Sequence, residues 1–365
     1  MTRHRSRALA LLLVLAALAA TVAGCGGDDD AGAVATTAAT TTTPPTDRTW
    51  RKVVPGADCQ CSDGSEFSFW VREASPQKVV LYLQDGGACF SAETCAPEND
   101  LYNIRVNERP TGQGGMFDFA DKRNPFADHS VVYVPYCTGD AHIGNATTEY
   151  GPGLTVHHNG YVNGTAALDH LAATFPGATE VVVVGESAGS IASPLYAGLI
   201  ADRLPDARVT VLAHGSGAYP DVPRFNETIA AWGFSNAIPP WPENTGLTAK
   251  QWSFPGLFIQ SGRHDPDIVF ARFDFAYDET QEGWFEVLGI PAKDLLSRVE
   301  TNETQIENAG VNVHSYIAPG YEHVVLSDGP FYTETVNGEK LVDWVSRLIE
   351  GRPVEDVHCT ECRAG

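Results

Sequence analysis

Short apolar runs alternate with segments of helical period along most of the chain. Lys78-Val79-Val80-Leu81-Tyr82-Leu83 ends at Asp85-Gly86-Gly87, and residues 130–135 repeat the pattern, so both read as buried strands bounded by turn residues. From Thr165 onward Leu168, Leu171 and Phe175 recur at helical spacing until Pro176-Gly177 stops the run. Glu180-Val181-Val182-Val183-Val184 follows, a β-branched run with no polar face, as a central strand covered on both sides requires. Residues 188–204 predict a helix and 208–213, 268–275 and 311–317 further strands. Leu341, Trp344, Val345 and Leu348 mark an amphipathic last helix closed by Gly351. This alternation predicts an α/β fold, a mostly parallel sheet with helices on both faces. Residues 219–252, rich in Pro, Trp and Asn and weakly periodic, predict an inserted lid or cleft wall above the sheet.

The first 47 residues do not share this pattern. Arg3-His4-Arg5-Ser6-Arg7 is basic, residues 8–20 are apolar, and Val22-Ala23-Gly24-Cys25 supplies small residues before a cysteine. These are the parts of an export signal, and the apolar run is short of the ~20 residues that span a bilayer. The tetrad is similar to a bacterial lipobox, which predicts lipidation of Cys25 and a cell-membrane lipoprotein; cleavage after Ala23 and free secretion is the alternative. Residues 26–47 are Gly, Asp, Ala, Thr and Pro without apolar period, and predict a disordered tether. Residues 48–365 are then expected to form a single domain. With 43% hydrophobic and 19% charged residues among 365, the chain has material for a large core. Its formal net charge of -22 disfavours nucleic acid and anionic lipid as partners.

Beyond Cys25, seven cysteines remain: Cys59, Cys61, Cys89, Cys95, Cys137, Cys359 and Cys362. In an exported protein this set reads as disulfides with at least one thiol left over. Cys89–Cys95 closes a short loop, and one of Cys59 or Cys61 is expected to join one of Cys359 or Cys362, tying the domain's ends. Four thiolates from Cys59, Cys61, Cys359 and Cys362 holding zinc is the less favoured alternative.

Candidate chemistry sits directly after the valine strand. Gly185-Glu186-Ser187-Ala188-Gly189 is a Gly-x-Ser-x-Gly nucleophile elbow in its strand-turn-helix setting. A serine hydroxyl needs a base to take its proton and a carboxylate to orient that base. His323, in Gly320-Tyr321-Glu322-His323 after the last strand, is the expected base, and His314 inside that strand the blander alternative. Asp278 follows the strand 268–275 and is the expected acid, since functional groups of open α/β sheets gather at carboxyl ends of strands. Asp265 takes that place instead if residues 257–260 form a strand. Asp267, like Asp265, precedes the strand at 268–275. The N–H of Ala188 and the loop Asp85-Gly86-Gly87-Ala88-Cys89 are expected to hold an oxyanion.

Several motifs in order extend this reading. Leu83-Gln84-Asp85-Gly86-Gly87-Ala88-Cys89-Phe90, Val134-Pro135-Tyr136-Cys137-Thr138-Gly139-Asp140-Ala141-His142-Ile143-Gly144, the elbow, Ala276-Tyr277-Asp278-Glu279-Thr280-Gln281 and a late Gly-x-x-His together resemble the pectin acetylesterase/Notum family. The resemblance implies an α/β-hydrolase-like fold, a cofactor-free and metal-free serine carboxylesterase, nucleophile Ser187, acid Asp278, base His323, and oxyanion donors Gly87, Ala88 and Ala188. It implies removal of short acyl groups, acetyl above all, from an acetylated carbohydrate or a small ester. Asp85 and Ala88 stand where the family often has a glycine and a tryptophan, which removes an apolar wall near the acyl group. Asp140 and His142 are candidate cleft residues, with a structural hydrogen-bonded role as the equal alternative. His157-His158 reads as a solvated pair rather than a metal site. The protein is expected to act as a monomer. Rival readings are a lipase or peptidase on the same fold, and a non-catalytic carbohydrate-binding surface lipoprotein.

Overall fold

The structure is a computed structural model, and it describes residues 49–107, 110, 114–291 and 293–363. The expected export signal, the tether and Cys25 lie outside the described residues. Within Pro44–Gly365, one compact unit, the elements run β1 (Arg51–Val53), β2 (Phe69–Arg72), β3 (Ser75–Leu83), α1 (Ala92–Cys95), β4 (His129–Val134), β5 (Ala146–Gly151), β6 (Leu154–His158), α2 (Gly160–Thr174), β7 (Glu180–Glu186) and α3 (Ala188–Arg203). They continue through β8 (Arg208–His214), α4 (Pro223–Ala231), α5 (Phe254–His264), β9 (Val269–Phe275), α6 (Glu279–Val287), α7 (Leu295–Asn308), β10 (Val313–Ala318), β11 (Thr335–Val336), β12 (Glu339–Lys340), α8 (Leu341–Ile349) and β13 (Val357–His358).

Nine strands form one sheet in the order β1-β2-β4-β3-β7-β8-β9-β10-β13. Everything from β4 to β13 is parallel, and only β1 and β2 pair antiparallel, at one edge. The valine run explains the centre. Val181 and Val183 face a core built with α2, α3, α5 and α7, while Val182 and Val184 face a second core built with α8 and the aromatic residues Phe331 and Tyr332. A strand buried on both sides gains from β-branched residues at every position, so the run shows no alternation.

Two expectations change. Residues 257–260 belong to helix α5, capped at its start by the Ser253 side chain, so Asp265 ends a helix and the alternative acid is lost. The bridge between the domain's ends is also absent: Cys61 pairs with Cys137, Cys359 with Cys362, and Cys89 with Cys95 as expected. Cys59 is a buried free thiol. The reason is local. Cys61 lies in a turn whose next residue, Ser62, donates its N–H to the carbonyl of Cys137 at 2.8 Å, so the backbone already holds the two cysteines together.

Candidate active site

Ser187 is the single residue between β7 and α3, and its φ of 50° and ψ of -111° lie where non-glycine residues rarely settle. The conformation is held by its N–H, which donates to the carbonyl of His214 at 2.9 Å. Both flanking glycines are required by space: a Cβ on Gly189 would lie 2.0 Å from the Leu83 carbonyl oxygen, and one on Gly185 would lie 2.4 Å from that of Gly189. The tight turn leaves the Ser187 hydroxyl directed outward.

His323 lies in the loop after β10 and Asp278 in the turn after β9, so the parallel sheet delivers all three side chains at one end. His323 Nε2 is 2.7 Å from Ser187 Oγ, and His323 Nδ1 is 2.7 Å from Asp278 Oδ2. Asp278 is fully buried, whereas His323 keeps 17% of its side chain exposed. The Nδ1–H donates to the carboxylate, which leaves Nε2 free to take the serine proton. Asp278 also caps α6: its Oδ1 accepts the N–H groups of Thr280 and Gln281 at 2.9 and 3.0 Å. His314 is apart from this chain of bonds and faces Asp356 at 3.7 Å.

The loop after β3 meets the same point. Gly87 has φ of 76°, and a Cβ there would lie 2.0 Å from the Leu101 carbonyl oxygen, so only glycine passes. The Cys89–Cys95 bridge, the Cys89 N–H bond to Gly139 and the Trp232 indole bond to the Cys89 carbonyl fix the loop from three directions. Gly87, Ala88, Ser187 and Ala188 together line an open cavity. Apart from Thr228 the remaining wall is apolar: Phe90, Ile191, Tyr219, Phe225, Trp232, Phe254, Trp284 and Leu288 all face it. The segment expected as a lid or cleft wall contributes Tyr219, Phe225, Thr228 and Trp232. Tyr219, Phe225 and Phe254 contact one another edge-to-face, with ring centroids 4.8 to 5.3 Å apart.

Asp140 and His142 are buried instead of lining the cavity, and Ala141 between them reaches it. Asp140 accepts from the Thr138 hydroxyl at 2.6 Å, the His142 N–H at 3.1 Å and the Gly160 N–H at 2.7 Å, the last bond standing in for a side-chain cap on α2. Burial pushes its carboxyl up to about 6 despite those donors. The His142 Nε2–H donates to the Gln84 carbonyl at 2.8 Å, and burial brings His142 down to about 4. His158 is likewise buried, its Nδ1–H donating to the Thr138 carbonyl at 3.0 Å and its Nε2 accepting from the Tyr150 hydroxyl at 2.8 Å, so the solvated reading fails for it. His158 also lies beside Cys89 and Cys95, but those sulfurs are joined to each other and offer no thiolate.

Two residues near the serine escaped the sequence reading. Glu186, the variable position of the elbow, is 4% exposed and pushed up to about 7, by burial first and then by the charge of Asp85. His214 is fully buried, neither ring nitrogen has a hydrogen-bond partner among the described residues, and burial lowers it to about 3. The signal for Glu186 was present: a carboxylate ending an otherwise apolar central strand.

Residues 50–240 match the family model described as Pectinacetylesterase. The palmitoleoyl-protein carboxylesterase NOTUM of Schmidtea mediterranea is 27% identical over 192 residues, 49% of this chain and 36% of that protein. Pectin acetylesterase 5 of Arabidopsis thaliana is 27% identical over 171 residues, 45% of this chain and 40% of that protein. The matches thus span well under half the length of these relatives. Among solved structures, the Wnt deacylase Notum from Drosophila superposes with a TM-score of 0.66 at 17% identity, covering 86% of this chain and 97% of that one, a likeness of fold.

Proposed function

The chain belongs to the pectinacetylesterase family, and from that premise we propose that it is a serine carboxylesterase (EC 3.1.1.-) acting through an acyl-enzyme. The observation that carries the reading is the unbroken chain Ser187 Oγ, His323 Nε2, His323 Nδ1, Asp278 Oδ2, with 2.7 Å at each hydrogen bond, opening on a cavity. His323 takes the Ser187 proton as Oγ attacks the ester carbonyl carbon. The resulting oxyanion rests on main-chain N–H groups of Ala188 and of Gly87 and Ala88, at the positive end of α3. The imidazolium, steadied by Asp278, gives its proton to the departing alcohol oxygen. Water, deprotonated by the same imidazole, then attacks the acyl-serine and releases the carboxylic acid.

For the substrate we propose an acetyl ester, carried on a polysaccharide or a small alcohol; the family and the relatives named as pectin acetylesterases support this. With a formal net charge of -22, a neutral acetylated polysaccharide suits the protein better than a polyanionic one. A second reading is favoured by one observation: eight apolar side chains around the cavity offer far more wall than a methyl group needs, and suit a longer acyl chain. Rates on a series of chromogenic esters from acetate to dodecanoate decide between the two, the first requiring a maximum at acetate. Fluorophosphonate labelling tests the enzyme itself. One adduct on Ser187 is expected, and Ser187→Ala should lower kcat by roughly a millionfold; a folded protein that takes no adduct is a binding protein. Three disulfides support an exported location. Anchoring through a lipid on Cys25 predicts that a clickable fatty acid labels the wild type in cells and not Cys25→Ala.

A further inference from the structure

The proposed reaction leaves unused a buried carboxyl group at the elbow itself. Glu186 ends β7, immediately before the nucleophile, and its two carboxyl oxygens bind to two different parts of the molecule. Oε1 accepts the Ser327 hydroxyl at 2.8 Å, and Oε2 accepts the Tyr82 hydroxyl. Ser327 belongs to the same loop as His323, four residues further on. Tyr82 belongs to β3, the strand that leads into the Gly86-Gly87-Ala88 loop. Its ring cannot swing away, stacked on Tyr133 with centroids 5.0 Å apart and edge-on to Phe117 at 4.9 Å. Only the ionised carboxyl accepts from both hydroxyls; a proton on either oxygen would turn one of these bonds around.

We propose that Glu186 is a positioning residue: by binding Ser327 and Tyr82 at once it ties the base-bearing loop and the oxyanion-loop strand to the elbow, holding His323 in line with Ser187. The inference rests on the esterase reading of this site. It explains why a buried carboxylate is kept where an apolar residue would pack at lower cost. Glu186 acts on the imidazole in a second way, through its field. The charged or titratable groups around the imidazole are Asp278, bonded to Nδ1, with Asp85 on the β3 loop, Glu186 on β7 and His214 on β8. With His214 held neutral by burial, Glu186, once ionised above about pH 7, adds its negative charge to those of Asp278 and Asp85 facing the imidazolium that forms as Ser187 attacks.

Glu186→Gln keeps the shape and removes the charge, whereas Ser327→Ala keeps the charge and cuts the tether. With a chromogenic ester that the wild type hydrolyses, and active sites counted by fluorophosphonate, Ser327→Ala should lower kcat by about tenfold with KM nearly unchanged. Glu186→Gln should lower kcat similarly and move the acidic limb of the kcat/KM profile to lower pH, by about 0.3 unit or more. Losses in the double variant should fall short of the product of the two. Melting temperatures taken alongside identify any variant that merely unfolds; should Glu186→Gln do so, the kcat of Ser327→Ala decides alone. Wild-type kcat and pH profile in both folded variants, with Ser187→Ala inactive, overturns the positioning role and leaves the esterase standing. A wild type without hydrolysis or adduct overturns both.

Discussion

Asp278 accepts four hydrogen bonds: the N–H groups of Thr280 and Gln281 on Oδ1, the Gln281 side-chain amide at 3.0 Å and the His323 Nδ1–H at 2.7 Å on Oδ2. One oxygen starts a helix and the other holds the His323 imidazole, so two substitutions separate the two contacts. Asparagine is as good an N-cap as aspartate but leaves the imidazolium without a counter-charge, so Asp278→Asn should lower kcat about ten-thousandfold, as in other triads, with little change in melting temperature. Asp278→Ala should lose the same activity and about 1 kcal/mol of stability besides. Turnover and thermal melts of the two variants, measured side by side, check this; an active Asp278→Asn protein would remove the acid from the mechanism. Placing the acid from sequence depended on knowing which segment before it was a strand. The rule that function gathers at strand carboxyl ends favoured Asp278 over Asp265, and the helical start at Ser253 removes the strand that Asp265 needed: the Ser253 side chain caps the Gly256 N–H, a contact that an apolar run at 257–260 does not reveal.

The elbow belongs to the scale of the element, because strand, turn and helix constrain one another through two glycines. Gly189 sits where α3 crosses β3, and any side chain there meets the Leu83 carbonyl at 2.0 Å, a main-chain atom that cannot rotate aside. Gly189→Ala should therefore cost about 3 kcal/mol or more, because either the helix or the strand must shift. Urea unfolding curves measure it, and a loss under about 1 kcal/mol would mean that the helix moves away more easily than its packing implies. The same element was the most legible part of the chain. A β-branched strand followed by Gly-x-Ser-x-Gly leaves little freedom in how it folds, and β7 and α3 fall within two residues of the expected bounds. Elements held by distant partners were not legible. β1, β2 and β13 are two to four residues long and exist because a neighbouring strand offers an edge. Helix α2 begins at Gly160, ahead of its apolar period, because the Asp140 carboxylate, twenty residues upstream, accepts the Gly160 N–H.

At the scale of the whole molecule, the partner of Cys61 and the buried histidines were both hidden from the sequence, since each depends on which loops the sheet brings together. Cys61–Cys137 closes a span of 76 residues across β2, β3 and β4, and replacing both cysteines by alanine should cost about 4 kcal/mol by chain entropy, read from the shift of the melting curve. Histidine burial sets the response to acid. His142 and His158 are held down at about 4 and His214 at about 3, against 6.5 for a solvated imidazole, and burial is the first cause for all three. A group lowered by folding contributes stability in full above its unfolded value and loses it as pH falls toward its folded one. The three histidines therefore withdraw support from pH 6.5 downward. Asp140 and Glu186, raised to about 6 and about 7, act in the opposite sense: their contribution is lost as pH rises through those values and recovered in acid. Between pH 6.5 and 4 these histidines and carboxyls therefore act against each other, so one histidine has to be isolated by substitution. His158→Asn isolates one of the three. It should destabilise the protein at pH 7, through the lost bonds to Thr138 and Tyr150, yet flatten the acid dependence by about 1.4 kcal/mol per pH unit in that window. Parallel stability curves for the variant and the wild type would show that His158 takes up its proton in the folded state as readily as in the unfolded one, and that its hydrogen bonds do not hold it neutral.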